Sequence, residues 1–124
     1  MRCPCAKKSE TRSYAECCGR FHSGGEVAPT AEALMRSRYS AFAMKNGAYL
    51  EAAWHTSTRP SRLLITPHQT WLGLQIVAAA TDGDAATVEF KARSRTGGRT
   101  QVMHEVSRFV REGGRWYYLD GLVR

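Results

Sequence analysis

The stretch Trp71-Leu72-Gly73-Leu74-Gln75-Ile76-Val77-Ala78-Ala79-Ala80-Thr81-Asp82-Gly83-Asp84 decides the reading of this chain. Leu72, Leu74, Ile76, Ala78 and Ala80 fall on alternate positions, the repeat of a strand with one face toward a core. Asp82-Gly83-Asp84 then has the composition of a tight hairpin turn, because glycine enters the positive-φ conformations such turns use. Further strands are predicted over Ala86 to Ser94, with Val88, Phe90 and Ala92 on one face, over Thr100 to Arg111, and over Arg115 to Val123. Thr96-Gly97-Gly98 and Glu112-Gly113-Gly114 separate them as turns.

Upstream of residue 71 the period is helical. Ala31, Leu34, Met35, Tyr39 and Phe42 recur at the spacing of one helix face, with Thr30 as N-cap and Glu32 near the positive helix end. Lys45, Asn46 and Gly47 read as its stop. A second helix is predicted from Ala48 to His55, carrying Tyr49, Leu50, Ala53 and Trp54 on one side. Pro60 and Pro67 make Thr58 to Gln69 a loop, with at most one helical turn around Arg62 to Ile65. Two helices followed by about four antiparallel strands give an α+β fold in which a curved sheet wraps its helices.

The first 25 residues are different in kind. They offer only Tyr14 and Phe21 as large core residues, too few to fold by apolar burial, yet they hold all four cysteines of the 124-residue chain. Zinc takes four ligands in a tetrahedron with Zn–S near about 2.3 Å, which sets neighbouring sulfurs about 3.8 Å apart. Cys3 and Cys5 flank Pro4, whose fixed φ favours a turn that aims both at one centre. Cys17 and Cys18 are adjacent and reach one metal only where the chain curls, for which Gly19 supplies freedom. His22 stands as the alternative fourth ligand in place of Cys18. Arg2, Lys7, Lys8, Arg12 and Arg20 lie near enough in sequence to offset the negative charge of such a centre. Disulfides or free thiols are the other readings of the four cysteines.

The N-terminus lacks the apolar run of a secretory signal, and no stretch reaches the roughly 18 apolar residues of a membrane span. The expectation is a soluble, cytoplasmic protein with no membrane span. The net charge of +7 is spread from Arg2 to Arg124, which argues against a nucleic-acid partner.

Cys3-Pro4-Cys5 followed by Ser13-Tyr14-Ala15-Glu16-Cys17-Cys18-Gly19 resembles the SEC-C motif, the zinc tail of the SecA translocation ATPase. The resemblance implies zinc on Cys3, Cys5, Cys17 and Cys18, and by analogy a protein partner such as a translocation chaperone or the ribosome. The spacer departs from the motif: Ala6-Lys7-Lys8 replaces the usual Gly-Ser-Gly, and the run to Glu16 is about three residues longer. Leu34 to Phe42, Trp54-His55, Thr58-Arg59-Pro60, His104 to Phe109 and Gly114 to Gly121 resemble the YchJ-type family of small bacterial SEC-C proteins. That resemblance implies a zinc module over residues 1–25 and, over residues 26–124, a cone-shaped domain of the nuclear transport factor type (cystatin-like) that encloses a pocket.

Cone folds host enzymes, binders and adaptors alike, so function has to be argued from side chains. The polar pocket candidates are His104, Glu105, Asp120, His55 and Arg38. By strand parity only one of His104 and Glu105 points inward, and Asp120 shares a face with Trp116 and Tyr118. His104 and Asp120 are therefore the acid/base pair to look for, and an ion pair of Arg38 or Arg108 with Asp120 is the noncatalytic alternative. The leading expectation is a protein-interaction adaptor with structural zinc and no catalytic residue, and it allows a homodimer through an outer sheet face. A small-molecule binder or acid/base enzyme in the cone is the rival.

Overall fold

The computed structural model describes residues 1–6 and 10–124. Its elements run α1 (Gly19–His22), α2 (Ala31–Ala43), α3 (Gly47–Ala52), β1 (Thr70–Asp82), β2 (Ala85–Thr96), β3 (Arg99–Glu112) and β4 (Arg115–Val123). The strands form one antiparallel meander in the order β1-β2-β3-β4, closed by two-residue turns. At the middle turn Gly97 and Gly98 both take positive φ, 58° and 79°, which a side chain would resist. The fold is α+β, as the change of period predicts.

The helices start where capping chemistry allows. Thr30 accepts a hydrogen bond from the Ala33 N–H at 3.0 Å and opens α2. Asn46 likewise accepts from the Tyr49 N–H at 3.1 Å and opens α3 at Gly47, so it starts a helix rather than only ending one. Lys45, with φ 56°, makes the left-handed corner between them.

Helix α3 stops at Ala52, short of the expected His55, because β4 competes for its backbone. The Tyr118 N–H donates to the Ala53 carbonyl at 2.8 Å, and the His55 N–H donates to the Tyr118 carbonyl at 2.8 Å. These bonds pull Trp54 into a parallel bridge with Tyr118. Thr58 to Gln69 contains no helix, as the loop reading expects, and Arg62 to Ile65 makes no helical turn, only a bend at Ser61 and Arg62 followed by irregular backbone. The short helix α1 escaped the sequence reading because a four-residue helix has no periodicity to detect.

Irregularities in the strands decide which side chains face the helices. On β2 the buried residues are Ala86, Val88, Phe90, Ala92 and Ser94, in strict alternation. Their β1 partners are Thr81, Ala79, Ile76, Leu74 and Trp71, because bulges lie between Trp71 and Gly73 and between Ile76 and Ala78. The inward face is therefore not the unbroken series from Leu72 to Ala80. Trp71 replaces Leu72 on that face, and Ala79 takes the place of Ala78 on the same side of the sheet, in the exposed half of β1.

Helix α2 lies across the concave face and is buried on nearly all sides. Met35, Arg38 and Tyr39 look toward the sheet interior, while Ser37 and Ser40 meet the N-terminal segment. That double burial explains why small polar residues interrupt its apolar stripe. Phe109, 1% exposed, anchors the sheet side. Phe109→Ala should lower the unfolding free energy by about 3–5 kcal/mol in chemical denaturation; a loss below about 1 kcal/mol would contradict this core.

Candidate metal centre

The N-terminal segment folds on backbone hydrogen bonds rather than on apolar area. The Cys3 N–H donates to the Arg12 carbonyl at 2.9 Å and the Tyr14 N–H to the Met1 carbonyl at 2.8 Å, an antiparallel bridge that pairs Arg2 with Ser13. The chain then curls around one acceptor. The Tyr14 carbonyl receives both the Cys17 N–H at 3.1 Å and the Gly19 N–H at 2.8 Å. A Cβ at position 19 would sit 2.7 Å from that oxygen, so glycine is required there for close approach and not for an unusual φ. Cys18, at φ −66° and ψ −24°, already has helical geometry ahead of α1. Adjacent cysteines thus converge instead of splaying.

The four sulfurs form a compact cluster. Cys3 lies 3.7 Å from Cys5, Cys5 lies 3.6 Å from both Cys17 and Cys18, and Cys17 lies 4.0 Å from Cys18. These edges match the roughly 3.8 Å of a tetrahedral thiolate centre. All four side chains are buried and none is in a disulfide. The cluster is suited to hold a metal ion.

Two residues of α2 support it. The Ser40 hydroxyl, fully buried, donates to Cys18 Sγ at 3.2 Å and lies 3.6 Å from Cys3 Sγ. The Arg36 guanidinium donates to the Cys5 carbonyl at 3.1 Å. Within the cluster, hydrogen bonds from Cys18 and Cys5 pull the Cys3 thiol far below its ordinary range. The same contact with Cys3, together with the Cys5 hydrogen bond and burial, drives Cys18 upward. Four buried sulfurs cannot all be anions without a cation among them.

His22 is otherwise engaged. Its Nε2–H donates to the Ser37 carbonyl at 2.8 Å, and its Nδ1 accepts from the Tyr14 hydroxyl at 2.6 Å. Nε2 thereby pins α1 to α2, and Nδ1 ties it back to the Tyr14 side chain of the N-terminal segment. Of the nearby cations, Arg20 donates to the Cys17 carbonyl at 3.0 Å, Arg2 to the Ala6 carbonyl at 3.0 Å, and Arg12 pairs with Glu10. Lys7 and Lys8 lie outside the described residues. Ser40 and Arg36 were missed by sequence reasoning, since nothing short of the fold brings a helix 22 or 31 positions away onto the cysteines.

In the cone the structure separates His104 from Asp120, the pair an acid/base enzyme would need, and forms the noncatalytic alternative, an Arg108–Asp120 ion pair. A bulge between Arg108 and Phe109 shifts the β4 register, so Asp120 opposes Arg108 while Tyr118 opposes Phe109. Asp120 therefore leaves the face of Tyr118 and accepts two hydrogen bonds from Arg108, at 2.7 and 2.6 Å. That ion pair, foremost its hydrogen bonds, holds the Asp120 carboxyl below its usual range. His104 also lies on the outer face, 2.6 Å from Glu89. His55 sits between Ser57 at 2.7 Å and Glu112 at 2.8 Å, near the end of the sheet.

Among the described residues, Arg38, Glu105 and Ser107 bring polar groups to the small cavity between α2 and the sheet. They line that cavity, of about 60 Å³, together with Trp71, Phe90 and Tyr118. Burial pushes the Arg38 guanidinium down to about 10, still a cation at neutral pH. Of the sequence candidates, Glu105 and Arg38 are brought together here and His104, Asp120 and His55 are not.

A family model for the middle NTF2-like domain of YchJ matches residues 30–121. The chain is 52% identical to a UPF0225 protein of Bordetella pertussis over 126 aligned positions, 98% of this chain and 92% of that one. It is 50% identical to a UPF0225 protein of Streptomyces coelicolor, over 96% and 93% of the two chains. Among solved structures, a SEC-C motif containing protein from Rhodopseudomonas palustris superposes with a TM-score of 0.88 at 33% identity, covering 100% of this chain and 99% of the other. One from Psychrobacter arcticus gives 0.83 at 32% identity, covering 100% and 83%. With the sulfur cluster at its N-terminus and an NTF2-like domain behind it, this chain belongs to the YchJ-like UPF0225 family.

Proposed function

We propose that this protein is an interaction module in which one structural zinc ion, held by Cys3, Cys5, Cys17 and Cys18, shapes a docking surface for a protein partner. Zinc is the metal that four thiolates in a tetrahedron favour, and four protein ligands leave no position for a reacting water. A reducing compartment, the cytoplasm, keeps those thiols available. No helix among the described residues is long and apolar enough to cross a membrane.

The observation that carries the docking role is a groove of about 800 Å³ between the cysteine module and the edge strand β1. Cys3, Pro4 and Ala6 form one wall, Trp71, Leu72 and Leu74 the other, and Arg2, Lys91 and Arg93 add positive charge, with no acidic residue in the lining among the described residues. Such a surface suits an acidic segment that also carries apolar side chains. By analogy with the SecA tail, a translocation chaperone or the ribosome presents it.

Two measurements test this reading. Ser40→Ala removes the hydroxyl that donates to Cys18 Sγ, and should weaken zinc retention against a chelator about 10-fold with the sheet intact. Unchanged retention would show that Ser40 does not support the metal. Purified SecB-type chaperone and ribosomes should then be tested for binding to wild type and to Lys91→Glu with Arg93→Glu. Reversal of the two charges is expected to weaken binding at least about 10-fold. Binding that ignores the reversal removes the groove from recognition, and no binding to either partner removes the analogy.

A further inference from the structure

The cone interior contains a charge arrangement that the zinc module does not use. Arg38 is buried on α2, its guanidinium carbon 3.7 Å from the Tyr118 ring centre, 5.1 Å from Trp54 and 5.8 Å from Phe42. Three aromatic faces stabilise the cation but offer no hydrogen-bond acceptor of its strength. Its Nη1 is fully shielded and has no hydrogen-bond partner in the structure. A buried donor of this kind carries a penalty that a native site normally relieves.

Glu105 lines the same small cavity and forms no ion pair with Arg38 among the described residues. One carboxylate oxygen accepts from the Ser107 hydroxyl at 2.9 Å. The carboxylate reaches β4 only because residue 121 is glycine: a Cβ there would lie 2.6 Å from it. A cation on a helix and an anion on the sheet thus face one space without closing it.

That space holds about 60 Å³. At roughly 15 Å³ per water-sized atom it takes about four heavy atoms. The charges define what those atoms must be. A bare carboxylate would satisfy Arg38 and be repelled by Glu105, and an ammonium would meet the reverse. A neutral group with an acceptor beside a donor satisfies both.

We propose that the cone interior is a binding site for a primary carboxamide head group, the Arg38 guanidinium donating to its carbonyl oxygen and the Glu105 carboxylate accepting from its amide N–H. Acetamide has the size and the donor and acceptor pattern of that head group, and acetate is its isosteric anion. The experiment is a titration of the ¹⁵N-labelled, metal-loaded full chain with each, following the backbone amides of Glu105 and Ser107.

Acetamide should give saturable shifts, with acetate about 10-fold weaker or more. Glu105→Gln changes charge but scarcely shape, and should reverse the preference so that acetate binds better. Shifts with acetamide that never saturate would mean that water alone fills the cavity, and would overturn the proposal. So would equal affinity for the two probes, or an unchanged preference in Glu105→Gln.

Discussion

The contact between the sulfur cluster and the buried side of α2 is the interaction on which the rest of the molecule depends. The N-terminal segment has too little apolar surface to hold a conformation, and the backbone bonds from Cys3 to Arg12 and from Tyr14 to Met1 close only a short ladder. Its attachment to the cone runs through Ser40 to Cys18, Arg36 to the Cys5 carbonyl, and His22 to the Ser37 carbonyl. All three partners on α2 lie within two turns of one helix. The cysteines are consequently part of the same buried cluster as Leu34, Met35 and Phe90. A metal that organises the sulfurs also finishes the outer surface of α2 and sets one wall of the groove beside β1.

A second constraint acts in the sheet, where bulges sort polar groups between inside and outside. Without the bulge at Arg108 and Phe109, Asp120 would follow Tyr118 into the cone; with it, Asp120 is bound by Arg108 on the outer face. His104 follows β3 parity outward to Glu89, and Glu105 follows it inward toward Arg38. Among the described residues the cavity lining is thereby left with Arg38 and Glu105 as its charged groups, opposite in sign but separated. Tyr118 joins the two regions, since its ring stacks on Arg38 and its backbone holds Ala53 and His55.

Much of this was legible in the residues, for identifiable reasons. The alternation in β2 and the glycines at the three turns are local signals, and they locate the strands to within two residues. Cys-x-Cys and Cys-Cys are legible because metal geometry restricts which spacings work. The bulges were not legible: a bulge adds no characteristic residue, and each one inverts every face assignment beyond it. The early end of α3 was hidden for a related reason, as it depends on hydrogen bonds from Tyr118, 65 positions after Ala53. Ser40 and Arg36 look like ordinary polar positions of a helix until the cysteines are seen to pack on them.

The central claim is that a metal in the sulfur cluster binds the N-terminal segment to the cone, and hydrogen exchange with and without a strong chelator tests it most directly. Removing the metal should sharply reduce protection at Cys3, Tyr14, Cys17 and Gly19, whose amides make the module's own hydrogen bonds, while β2 and β3 keep theirs. Exchange that is the same in both states would contradict the account, because the segment would then be holding its fold and its place on α2 without a metal.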